Sequence, residues 1–273
     1  MALPISIDLR EEAQEFHDFL TTLRSDDWER ETLFMKWSPW DVVAHLHFFD
    51  EVSLRSLEGE EAFAPAREAL IKTMSEGKTT KDMQLEAFEG VGAEELLDRW
   101  IKGCVSLCAK LGECNPKARL PWFGPDMGAQ MFTTARYMET WSHAQAVYDM
   151  MGKSRTHTDR IQNIVAIGVR TFGWTFVNRK LEVPGPPPHV RLVAPSGTIW
   201  EYNAPEHDAE SASGKELIEG TAVDFCLTVA QVRNVKDTEL SVRGDVANQW
   251  MDIAQCFAGA PVDPPAPGYR LGR

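Results

Sequence analysis

Long apolar runs are missing from this 273-residue chain: nothing approaches the ~20 consecutive hydrophobic residues that a membrane-spanning helix needs. Its first residues, Met-Ala-Leu-Pro-Ile-Ser-Ile-Asp, lack the basic region and apolar core of an export signal, so a cytoplasmic protein is expected. Positive charge is also short. With 28 Lys and Arg against 41 Asp and Glu the formal net charge is −13, and the basic residues are scattered among acids. Without a basic stripe, nucleic acid is excluded as the main partner and anionic lipid surfaces are disfavoured. Paired cysteines are missing too: Cys104, Cys108, Cys114, Cys226 and Cys256 form no Cys-x-x-Cys metal or redox pair. Cys104 and Cys108 share a helix face with Trp100 and Leu111 and read as small core residues. Repeats and low-complexity tracts are absent.

What is present is a chain of ordinary hydrophobicity, 43%, long enough for one large domain or two ordinary ones. Helical spacing dominates the first half. Leu9, Ala13, Phe16, Phe19, Leu20 and Leu23 predict a first helix. Ser38-Pro39-Trp40-Asp41 combines a capping box with proline at the first helical position, predicting a helix over 39–57. Residues 58–77 suggest a short helix with Phe63, Ala66, Leu70 and Met74 on one side, and 78–81 read as a loop. A third long helix is predicted over 93–111, ended by Gly112. Prolines and glycines predict a loop over 116–128, in which Trp122 and Phe123 stand out as candidate pocket walls. A fourth long helix follows over 127–151. Residues 1–155 therefore read as a four-helix bundle.

The polar stretch 152–158 reads as a join between domains. A single helix is predicted over 159–179 and is broken by Val183-Pro-Gly-Pro-Pro-Pro188. Residues 189–193 and 198–202, set around Pro195-Ser-Gly197, predict a hairpin, and 239–243 a further strand. Residues 221–233 and 245–257 look helical. The segment 156–273 is thus expected to be a smaller α+β domain, making the fold class α plus α+β.

Chemistry concentrates in Arg136-Tyr-Met-Glu139-Thr-Trp-Ser-His143. Residues three and four apart share a helix face, so Glu139 and His143 point the same way, with Arg136 one turn earlier. A carboxylate and an imidazole so placed hold a divalent cation when a third ligand arrives from elsewhere. His45 is the best candidate, on a stripe with Val42, Phe49 and Val52. His47 points about 200° away and reads as a solvated or ion-paired histidine. Arg136 is expected to hold Glu139 in place, with binding of an anionic substrate as its other reading. Trp37, Trp40 and Trp141 are expected near the ligands. Such a site takes Zn2+, Ni2+ or Fe2+ by its donor set alone.

These pieces carry a resemblance. Trp37-Ser-Pro-Trp-Asp-Val-Val-Ala-His45-Leu with Arg136-x-x-Glu139-x-x-x-His143 resembles the DinB-like superfamily, and within it the metal-binding domain of mycothiol-dependent maleylpyruvate isomerases. Ala194-Pro-Ser-Gly197, Gly220-Thr-Ala-Val-Asp224-Phe, Arg233 and Val242-Arg-Gly-Asp245 are similar to their sterol-carrier-like C-terminal domain. The resemblance implies a zinc-type site of His45, Glu139 and His143, and a low-molecular-weight thiol such as mycothiol that binds the metal as thiolate and attacks an electrophile. It also implies an arginine of the second domain, matched by Arg233, that holds a small anionic substrate. Where relatives often carry an acid three residues after the second histidine, this chain has Ala146. The functions implied are cis–trans isomerisation or S-transfer. A metal-dependent hydrolase is the variant on the same site, and a carrier or sensor of an apolar ligand with a structural metal is the reading from another class.

Overall fold

The computed structural model describes residues 3–204 and 216–271. It divides into two compact units, Met1–Lys153 and Ser154–Arg273. The first is helical and the second mixes short helices with a small sheet, which is the α plus α+β class read from the sequence. Among the described residues no helix is long and apolar enough to cross a membrane.

The first unit runs α1 (Ile5–Leu20), α2 (Pro39–Glu58), α3 (Glu60–Ser75), α4 (Thr80–Ala87), α5 (Ala93–Glu113) and α6 (Ala129–Met150). α1 and α2 each pack on both α5 and α6, so the four long helices close a ring. Leu9, Phe16, Leu46, Trp100, Tyr137 and Trp141 fill its interior, each such burial contributing roughly 1.5–3 kcal/mol. The start of α2 is fixed as expected: Ser38 Oγ accepts from the Asp41 amide (3.2 Å) and Asp41 Oδ2 accepts from the Ser38 amide (2.9 Å). This places His45 two turns into the helix.

Three local readings need correction. Residues 78–81 are not all loop, because Thr79 caps α4 in a second box with Asp82. Met74, on the same side of α3 as Phe63 and Ala66, is not buried with them; it is 66% exposed. Gly112 does not end α5, which continues to Glu113. A side chain there would meet Ser6 Oγ at 3.1 Å, so glycine serves the close approach of the chain start, whose Leu3 amide donates to the Gly112 carbonyl. Residues 116–128 form the expected loop, pinned by a two-residue pairing of β1 (Arg119–Leu120) with β2 (Met127–Gly128).

In the second unit the helix expected over 159–179 is broken. Thr171 Oγ1 bonds back to the carbonyls of Ile167 (2.8 Å) and Gly168 (3.0 Å), separating α7 (Gln162–Arg170) from α8 (Phe172–Asn178). The predicted hairpin is β3 (His189–Val193) paired antiparallel with β4 (Ile199–Tyr202). A strand not foreseen, β5 (Leu217–Thr221), lies parallel to β3, and β6 (Ser241–Arg243) completes the order β4-β3-β5-β6. Gly220 disguised β5 by interrupting its β-formers. With φ +152°, and with Leu240 Cδ2 only 2.8 Å from where a Cβ would lie, glycine is required there. α10 (Asp245–Ile253) sets Trp250 against Phe172 of α8 on one side and Phe225 of α9 (Ala222–Val229) on the other.

Candidate metal centre

The register of α6 sets Glu139 and His143 on one face, and His143 Nε2 lies 3.0 Å from Glu139 Oε2. α2 delivers His45 from the neighbouring helix, its Nε2 3.4 Å from the same oxygen. One ligand atom from each of the three residues lies within 4.8 Å of the others. Donors held ~2.1 Å from a common ion at tetrahedral angles sit about 3.4 Å apart, and the two separations from Glu139 Oε2, 3.0 and 3.4 Å, lie near that value. The donor set of two imidazoles and a carboxylate fits a divalent cation of the zinc type. Among the described residues no other His, Cys, Asp or Glu group converges in this way.

Aromatic rings build the walls. Trp37 stacks on the His143 ring (centroids 5.6 Å, planes 13° apart) and also touches His45. Phe34 stands edge-on to His143 at 5.0 Å and Phe49 leans on His45 at 4.9 Å. Met35 and Lys36, both in the left-handed region at φ 49° and 57°, make the turn between Phe34 and Trp37. Of the three side chains Glu139 is the most exposed, 26% against 11% for each histidine.

Burial, and then the facing His143, hold the His45 imidazole down to about 4, neutral at pH 7. Burial alone would push the Glu139 carboxyl up, but the hydrogen bonds from His143 and His45 together outweigh it and keep the group well below its ordinary range. The centre thus presents a carboxylate and an uncharged His45 ring, the charge states that a cation requires.

Other residues singled out in the sequence fall elsewhere. Arg136 does not turn toward Glu139. It is buried and pairs with Asp50, donating from Nε (3.1 Å) and Nη2 (2.9 Å) to Oδ1, while Trp100 Nε1 donates to Oδ2. Of the two readings of His47, solvated or ion-paired, the structure favours the second: it is buried and stacked on Phe88, with Glu51 at 3.8 Å, and burial lowers its pKa. Trp40 gives its indole N–H to the Val91 carbonyl, and Trp141 is buried in the bundle core. Trp122 and Phe123 pack with Phe49 and Phe63, one ring removed from His45. Arg233 belongs to the second unit, where it is buried and donates to the Val232 carbonyl. The residue that sequence reasoning missed is Gln84, whose amide nitrogen lies 3.0 Å from His45 Nδ1. The Thr79-x-x-Asp82 box was the one signal that a helix carries it.

Residues 9–148 match the family model described as the mycothiol maleylpyruvate isomerase N-terminal domain. Two proteins described as uncharacterized, from two strains of Mycobacterium tuberculosis, are 31% identical over 258 residues, covering 94% of this chain and 96% of theirs. Among solved structures, that of the mycothiol-dependent maleylpyruvate isomerase and that of its histidine-to-alanine mutant align with TM-scores of 0.53 and 0.52. Each is 13% identical and covers 84% of this chain and 88% of its own, a likeness of fold.

Proposed function

Because the chain belongs to the mycothiol maleylpyruvate isomerase N-terminal domain family, we propose that it is a thiol-dependent enzyme, an isomerase or S-transferase, working at a cation held by His45, Glu139 and His143. The observation that carries the reading is their convergence around one point, with Glu139 the most exposed of the three. A divalent cation there supplies the positive charge that favours thiolate over thiol at neutral pH, and thiolate is the nucleophilic form.

The residues of the chain do the rest. Ionised Glu139 offers lone pairs to the centre, and neutral His45 can do so from Nε2 once its single ring proton is on Nδ1. Phe34, Trp37 and Phe49 hold the two rings in place and keep water from their edges. The exposed side of Glu139 is where a small thiol and its electrophile enter. Attack of the thiolate sulfur on an activated alkene carbon forms one C–S bond and moves the π pair onto the conjugated carbonyl. Rotation about the new single bond, then expulsion of the same sulfur, restores the alkene in the other geometry with no net oxidation. If a proton is taken up at carbon instead, the sulfur stays and the outcome is S-transfer.

The test is elemental analysis of unsupplemented protein, followed by thiol-dependent turnover of an unsaturated carboxylic acid, in wild type, His45→Ala and Glu139→Ala. About one equivalent of divalent metal is expected in wild type, with both metal and turnover lost at least 100-fold in the variants. Variants that keep full metal and lose only stability would overturn the proposal. Turnover that persists at full rate without added thiol would overturn the thiol-dependent reading.

A further inference from the structure

Gln84 is polar, 2% exposed, and has its amide nitrogen 3.0 Å from His45 Nδ1. Its placement is not incidental. α4 is locked at its start by the Thr79–Asp82 box, and Lys81 ties the same turn to Asp41 at the start of α2 (2.9 Å). The amide is therefore held beside His45 from two directions.

With the amide nitrogen toward the ring it donates and Nδ1 accepts, a pairing that goes with the ring proton on Nε2, the atom that faces Glu139 Oε2. A cation needs Nε2 bare. The proton must then sit on Nδ1, and Nδ1–H, buried with Gln84, requires an acceptor. Turning the amide over presents Oε1 in place of Nε2 and meets that need without moving the backbone.

We propose that Gln84 is the positioning residue that sets the tautomer of His45, turning its amide when the centre loads and so tuning cation affinity; this rests on the metal reading above. A neutral amide serves both the empty and the loaded ring. A carboxylate in its place would serve only the loaded one, and an aliphatic side chain neither.

Two measurements on the full chain test it. Zinc affinity is measured by competition with a chromophoric chelator for wild type, Gln84→Leu and Gln84→Glu, with melting curves of the metal-free proteins as the folding control. Gln84→Leu is expected to weaken binding 10- to 100-fold, and Gln84→Glu to bind at least as tightly as wild type, a rescue that lost packing alone does not explain. Nitrogen-15 spectra of the wild-type ring, which need no variant, should show His45 protonated at Nε2 without zinc and at Nδ1 with it. Gln84→Leu binding zinc within about threefold of wild type, or the same tautomer in both wild-type states, overturns the proposal. A wild-type protein that takes up no zinc overturns the metal reading beneath it.

Discussion

The costliest pair to disturb in the bundle is Arg136 with Asp50, both almost wholly buried. Burial pushes the Asp50 carboxyl up despite the offsetting guanidinium and the Trp100 indole. Removing only the arginine strands that carboxylate in a low-dielectric interior, a loss of roughly 3–5 kcal/mol. Urea melts of Arg136→Met should show it, and Asp50→Asn in the same chain should recover most of the deficit; additive losses would refute the coupling. Asp27 carries a second prediction. Hydrogen bonds from Arg24 and Arg30 lower its pKa from 3.8 to about 2. Its contribution to stability is thus fully present above the unfolded value and drains away as pH falls from about 4 to about 2. Asp27→Asn should flatten that part of the stability–pH curve, and equal acid slopes in both proteins would remove Asp27 as the cause. In the candidate metal centre the meeting of Glu139 and His143 was legible because an i,i+4 pair fixes its own geometry. The partner of Arg136 was not, since its choice of Asp50 over Glu139 depends on how α2 packs against α6, 86 residues away in sequence.

Helices differ in what a methyl group would meet, and two glycines make the contrast measurable. Gly103, inside α5, has room: a Cβ would touch His47 ring atoms at an ordinary 3.5 Å. Gly103→Ala should therefore gain about 0.5–1 kcal/mol from helix propensity. Gly168, inside α7, lies under α9, where a Cβ would fall 2.9 Å from Val229 Cγ2 and 3.0 Å from Phe225 Cε1. Valine is stiff at χ1 and Phe225 is fully buried, so overpacking of roughly 1–3 kcal/mol outweighs the propensity gain. Opposite signs in denaturant midpoints are the expected result, and a stabilised Gly168→Ala would show that α7 and α9 separate freely. The same scale explains which elements could be read. α1 and α5 bury one face and declare it by spacing, whereas α6 buries residues around most of its circumference and is recognisable chiefly by its length. α4 was hidden because eight residues with one buried side chain, Gln84, carry almost no apolar pattern.

Over the whole chain, texture was the legible signal: helical spacing before the polar stretch 152–158, alternating β-formers after it, and hence the class. The placement of β5 beside β3 was not, because a parallel partner is chosen by tertiary packing rather than by any adjacent turn. The division into two units has a thermodynamic consequence once the cation is considered. His45, Glu139 and His143 all belong to Met1–Lys153, and no comparable cluster occurs among the described residues of Ser154–Arg273. Anything that binds only the folded first unit stabilises that unit alone, by about 2.7 kcal/mol when free metal is 100-fold above its dissociation constant. For a unit of this size that is a shift on the order of 5–10 °C. Calorimetry of the full chain with zinc and then with excess chelator should therefore move the transition of the bundle and leave that of the α+β unit in place. Glu139→Ala should abolish the shift. Equal movement of both transitions would mean that the two units do not melt independently, and no movement in either would mean that the three side chains converge without holding a cation.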